Sequence, residues 1–307
     1  MILHKIFLCF FHNALNTAIL CKTGIVRLWY KVNMRPKEWT KIGYSAQLDL
    51  RFLHAYYVRH AYPRHSHDYF VICLIERGRQ SFLHQGTNYA TPPGGVILIN
   101  PGAVHTGEAA DEQGFEMLSL YPTISQMETA ASALTGRHQG LPFFKDVRID
   151  DPWATKNLLS LHNALFNPSN ALEYESRFAW VMAELVKRYA DVSCTEHKLG
   201  REKKLVEQAC RYIQENFVNG VSLSELAQHV ALSPYYLLRV FRAEVGMPPY
   251  VYLENVRVRH AQKLVEEGKP LADVAMESGF SSQSHMTRHF KRTIGATPGQ
   301  YAQEINS

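Results

Sequence analysis

The chain of 307 residues has few cysteines: five, Cys9, Cys21, Cys73, Cys194 and Cys210, none of them in a CxxC pair. Scattered thiols argue against a disulfide framework and a cysteine-type zinc site, and they fit a reduced, cytoplasmic chain. Long apolar runs are also missing. IFLCFFHNALNTAILC is interrupted by His12, Asn13 and Asn16 and falls short of the roughly 20 residues that a spanning helix needs. It lacks a clean small-residue cleavage site, which argues against a signal peptide. Acid is absent from the first 33 residues, which hold Lys5, Lys22, Arg27 and Lys31. That leaves 29 Lys and Arg against 28 Asp and Glu in the remainder, so the formal charge of +5 belongs mostly to the leader. A surface for a polyanion must therefore be a local arrangement. Met34 opens a stretch of ordinary composition, and residues 1–33 read as a non-native or disordered leader ahead of it.

A hydrophobic content of 46% with 11% aromatics excludes general disorder. The length allows two domains, each with its own core. From about Leu48 to Tyr121, apolar, β-branched and aromatic runs such as YFVICLIERG, GGVILINPG and FEMLSLYP are broken by Gly, Pro and Asn. Short strands at this spacing predict a small barrel or jelly roll over 34–150. The period then becomes helical over Trp153–Phe166 and Asn170–Tyr189. In the second stretch Tyr174, Phe178, Val181, Met182, Leu185 and Tyr189 fall on one stripe. This helical pair, 151–190, is placed to couple domains or to dimerise. Residues 191–200 break the period and read as a linker to a last domain, 201–307.

That last domain contains one pattern twice. SLSELAQHVALSPYYLLRVFRAEVGMPPYVY from Ser222 is answered by PLADVAMESGFSSQSHMTRHFKRTIGATPGQY from Pro270. Leu223, Ala227, Leu237, Arg239 and Phe241 correspond to Leu271, Ala275, Met286, Arg288 and Phe290, with one extra residue in the second turn. Self-similarity at this period marks a duplicated helix-turn-helix unit, which lays its second helix in the DNA major groove. Punctuation supports the reading. Ser222 with Glu225 forms a capping box, Ser233 and Pro234 open a second helix, and Pro249 to Gly268 bound a long one. At 1.5 Å per residue that helix is roughly 28 Å long, suited to hold two units about one DNA turn apart. The residues predicted to face outward are Tyr235, Tyr236, Leu238, Arg239 and Arg242 in the first unit. In the second they are Gln283, Ser284, His285, Thr287, Arg288 and Lys291. Arg suits guanine, Gln suits adenine, and Ser, Thr and Lys suit bases or phosphates.

GFSSQSHMTRHFKRTIGATPGQY, within 222–304, closely resembles the DNA-binding domain of the AraC/XylS family of transcriptional regulators. The resemblance implies base contacts from Tyr235, Leu238 and Arg239, then from Gln283, Ser284, His285, Thr287 and Arg288. Leu238 stands where a polar residue is common, and Met286 replaces a usual phenylalanine. The N-terminal stretches PRHSHDYFVICLIERG and GGVILINPGAVHTG are similar to the cupin barrel of such regulators. His65 and His67 at i, i+2, with His105 after the turn, are read as the lining of an effector pocket, with Tyr69 or Arg59 as partners. Three histidines suit a divalent metal, but the glutamate of enzymatic cupins is missing, with Phe70, Val71 and Ile72 in its place. No metal or cofactor is therefore expected.

The expected fold class is α+β. An N-terminal cupin-like β-barrel with a helical pair precedes an all-α C-terminal domain of two helix-turn-helix units joined by a long helix. The expected function is an effector-controlled, sequence-specific DNA-binding regulator. Its partners would be double-stranded promoter DNA, a small molecule, RNA polymerase and a second copy of the chain, with no membrane. Alternatives are a metal-dependent cupin enzyme fused to a DNA anchor, or a constitutive DNA-binding protein.

Overall fold

The computed structural model describes residues 19–21, 24–26, 37–168, 170–191 and 202–305. Most of the expected leader and nearly all of the 191–200 linker lie outside these residues. From the leader, β1 (Ile19–Cys21) and β2 (Gly24–Val26) pair as an antiparallel hairpin.

From Glu38 onward the chain forms one compact unit. Nine strands come first: β3 (Trp39–Ser45), β4 (Leu50–Tyr57), β5 (Tyr62–His65), β6 (Val71–Gly78), β7 (Gln80–His84), β8 (Thr87–Thr91), β9 (Val96–Ile99), β10 (His105–Ala109) and β11 (Phe115–Tyr121). Helix α1 (Ile124–Thr135) and strand β12 (Arg148–Ile149) follow. The strands build two antiparallel sheets, ordered β12-β9-β6-β11-β4-β3 and β5-β10-β7-β8. The expected barrel is thus a pair of separate sheets with apolar side chains between them.

Alternation explains the six-stranded sheet. Leu53, Ala55, Cys73, Ile75, Ile97, Ile99 and Met117 join a cluster with Phe82 of the smaller sheet. Their neighbours Phe52, Ile72, Leu74, Val96, Leu98, Leu118 and Leu120 belong to a second cluster with the helices. Successive side chains point to opposite faces of a strand, so the inner strands of this sheet are buried on both faces, while the edge strand β3 is largely exposed. Runs such as VICLI therefore read as continuously apolar.

Helices α2 (Pro152–Phe166) and α3 (Ala171–Tyr189) join α1 over the outer face. Helix α1 was not expected. Thr123 and Gln126 form a capping box at its start, and Gly136 ends it with a positive φ of 68°. The all-α part follows as α4 (Lys203–Asn216), α5 (Leu223–His229), α6 (Pro234–Val245), α7 (Pro249–Glu266), α8 (Leu271–Glu277), α9 (Gln283–Ile294) and α10 (Pro298–Ile305). Ser222 with Glu225 caps α5, and Ser233 accepts from Tyr236 N at the start of α6. The 18 residues of α7 separate two helix-turn-helix units, α5–α6 and α8–α9. Each unit has its own core, around Leu237 and Phe241 in one and Met286 and Phe290 in the other. No helix among the described residues is long and apolar enough to cross a membrane.

Candidate nucleic-acid interface and ligand pocket

The two recognition helices differ in what they show to solvent. On α9, Gln283, Ser284, Thr287, Arg288 and Lys291 line one open groove together with Arg292. Gln283, Ser284, Arg288 and Lys291 are exposed and Thr287 is half-buried. Arg292, missed by the sequence reading, is fixed by a 2.6 Å bond to Glu254 of α7. Glu254 is a buried carboxylate also 3.3 Å from His289. These two partners hold its pKa below the usual carboxylate value despite burial.

His285 is a correction. Its side chain is buried, with Nδ1 3.1 Å from Ser281 Oγ and its ring against Phe280 and His289. The helical period explains this, because position 285 lies one turn before His289 and beside Met286, on the core side of α9. Burial, reinforced by His289, pushes its pKa down to about 4, so the ring is neutral near pH 7.

Tyr235 and Leu238 are also corrections. They are 3% and 1% exposed, because the face of α6 that carries them packs on α3 and α1 instead of facing solvent. The Tyr235 hydroxyl donates to Glu184 Oε1 of α3 at 3.0 Å. Leu238 shares the first unit's core with Leu172 of α3. Farther along α3, Glu175 Oε2 accepts from Leu223 N at the start of α5, and burial pushes its pKa up. Of the five outward residues expected here, Tyr236 and Arg239 are half-buried and Arg242 is exposed. The Arg242 guanidinium lies 4.4 Å from the centre of the Trp180 ring, also on α3.

The ligand pocket lies between the sheets. His65, His67, Tyr69 and His105 all line a cavity of about 320 Å³, whose walls include Leu53, Val71, Ile97, Phe82 and Met117. His65 ends β5 and pairs in register with His105 of β10. His67 lies in the loop after β5, not on the strand face that its spacing predicted. The ring of His65 is 4.4 Å from that of His105 and 4.7 Å from that of His67. Tyr69 stacks on His67 at 4.6 Å.

His65 Nδ1 donates to Pro63 O at 2.7 Å, and His105 Nδ1 donates to Ala103 O at 2.9 Å. A carbonyl oxygen can only accept, so these contacts place the proton on Nδ1 and leave the Nε2 lone pairs available. Burial and then the neighbouring imidazoles push His67 down to about 4, and burial lowers His105. His67 and His105 are thereby neutral nitrogen acceptors, suited to hydroxyl donors. The cluster could also supply three nitrogens to a divalent cation, though no carboxylate among the described residues lines the cavity. Arg59 is exposed and outside the lining, while Arg51 lines it. A second cluster, His54, Glu76 and Glu116, has its charge countered by Arg77, whose Nε donates to Glu116 at 2.6 Å.

Comparison with known proteins places both sites in context. An AraC-like ligand binding domain matches residues 47–182, and a helix-turn-helix domain matches residues 226–304. The uncharacterized HTH-type transcriptional regulator YbfI of Bacillus subtilis (strain 168) is 34% identical over 227 residues, covering 73% of this chain and 81% of that one. The chain belongs to the AraC family. The arabinose operon regulatory protein of Escherichia coli (strain K12) is 23% identical over 255 residues, 76% of this chain and 80% of its own. The HTH-type transcriptional activator RhaS of Klebsiella pneumoniae (strain 342) is 23% identical over 247 residues, 78% of this chain and 86% of its own. This AraC-family chain is a DNA-binding transcriptional regulator with a ligand-binding domain, and its relatives are regulators, not enzymes.

Proposed function

We propose that the protein reads paired promoter half-sites in adjacent major grooves and responds to a small hydroxylated effector in the three-histidine cavity. The groove on α9, where Gln283, Ser284, Thr287, Arg288 and Lys291 stand together, carries the reading. Arg288 and Gln283 supply base-edge contacts and Lys291 a phosphate contact. On the first unit, Arg239 and Arg242 contact DNA once α6 is presented. His65, His67, Tyr69 and His105 form the effector site, the imidazole nitrogens accepting from ligand hydroxyls. An effector that binds one domain arrangement better shifts the population toward it, and so changes how the two units meet DNA.

In this reading residues 34–150 bind the effector, 151–190 couple or dimerise, 191–200 link, and 201–307 bind DNA, with 1–33 a leader. The protein acts in the cytoplasm at the nucleoid, as a homodimer, and contacts RNA polymerase at its promoters. Genome-wide occupancy of a tagged chain tests it, with the Arg239→Ala/Arg288→Ala double variant as control. Discrete peaks sharing a bipartite motif and lost in the variant are expected. Diffuse binding insensitive to the substitutions would reject it.

A further inference from the structure

A cleft of about 810 Å³ lies between α1, α3 and α6. It shares no residue with the three-histidine cavity and lies on the other side of the six-stranded sheet, where α1 and α3 pack. Ala130, Leu134, Phe178, Met182 and Tyr235 give it apolar walls. Its charged side chains are Arg137 and Arg239, and no acidic residue lines it among the described residues. Both its size and its mix of apolar walls with a few polar groups suit a small molecule.

We infer that this cleft is a second ligand site, and that it takes an apolar molecule bearing one anionic group. The apolar body lies against Phe178 and Met182, and the anion faces Arg137 and Arg239. The walls come partly from α1 and α3 and partly from residues 231–239 of the first helix-turn-helix unit. The site is complete only while α6 packs on α3, so its occupant favours that packed arrangement. It also engages Arg239, a side chain assigned above to DNA. The ligand therefore locks the first recognition helix away from DNA, a consequence that rests on the regulator reading, whereas the site itself does not.

Calorimetry of the full chain with 1-octanesulfonate, 1-octanol and methanesulfonate tests the chemistry. Octanesulfonate should bind about tenfold tighter than either control, the worth of about one charge-assisted hydrogen bond against octanol. Ala133→Trp, which fills the cleft, should remove that binding. Arg137→Glu, at an exposed rim position, should weaken octanesulfonate and leave octanol unchanged. Amide exchange over 234–245 should slow when octanesulfonate is bound. Wild-type affinity for octanesulfonate retained in both variants, no binding to the wild-type chain, or unchanged exchange over 234–245 would each overturn the proposal. None of these readouts uses DNA, so absent promoter occupancy would count against the regulator reading alone.

Discussion

The two helix-turn-helix units share an apolar skeleton and differ in what surrounds it. Leu237 and Phe241 in one, and Met286 and Phe290 in the other, are all fully buried. Yet α9 presents Gln283, Ser284 and Arg288 to solvent, while α6 turns Tyr235 and Leu238 onto α3. Repetition encodes how a unit folds, whereas its availability is set by a neighbour of unrelated sequence. The neighbour here is α3, which supplies Glu175 to the start of α5, Glu184 to Tyr235 and Trp180 to Arg242.

The turns differ too. Both units need a left-handed residue there, and Ala231 at φ 53° answers to Gly279 at φ 74°. A Cβ on Gly279 would lie 2.7 Å from Phe217 O and 2.8 Å from Val218 O. Gly279→Ala should therefore destabilise the second unit by roughly 2–5 kcal/mol, from left-handed strain and crowding against backbone. The reverse change, Ala231→Gly, relieves strain but frees the unfolded chain, and should stay within about 1 kcal/mol. Thermal denaturation of both variants would break the comparison if their effects matched.

On the DNA side, Arg288→Ala should cost about 1–3 kcal/mol and relax discrimination at one base pair. Arg239→Ala should cost less in the effector-free chain, because α6 is held against α3. Equal losses in a binding assay across operator variants would mean that both helices already reach DNA. Binding should also weaken steeply with salt through counterion release, and a flat response would deny extensive phosphate contact.

The α3–α6 contact can be loosened by one atom. Tyr235→Phe removes the donor to Glu184 and keeps the packing of the ring, at a cost of about 1 kcal/mol. Amide exchange over 234–245 should quicken, and operator affinity should rise by a few-fold. Quicker exchange with unchanged affinity would show that this contact does not hold α6 off DNA.

Much of this was legible in the sequence. The duplicated pattern marked α5, α6, α8 and α9 with α7 between them, because caps such as Ser222 with Glu225 are local signals. The histidine cluster was legible because His65 and His105 flank turns that the sequence marks. Helix α1 was missed although Thr123 and Gln126 spell a capping box and Gly136 a left-handed stop. Burial of Tyr235 and Leu238 was not legible, since it depends on α3, a segment with no sequence relation to the repeat. His285 could have been found from its helical phase with His289. The charged Glu175 and Glu184 of α3 were passed over because an apolar stripe conceals which acids cap another helix.

The smallest expected effect separates the units by pH. His285 answers to Tyr236 in the first unit, a phenol in place of an imidazole. The folded state holds His285 at about 4, whereas the unfolded chain protonates it near the ordinary 6.5. His289, Glu254, Arg257 and Arg288 are the charged or titratable groups that act on it. A base with a depressed folded pKa contributes full stability above 6.5 and loses it as pH falls toward 4, since the unfolded chain then binds the extra proton. Local exchange in α9 should rise over that window, and His285→Tyr, which installs the residue of the first unit, should flatten the rise there. If α6 showed the same acid sensitivity as α9, the pH effect would belong to groups common to both units, and His285 would not be its source.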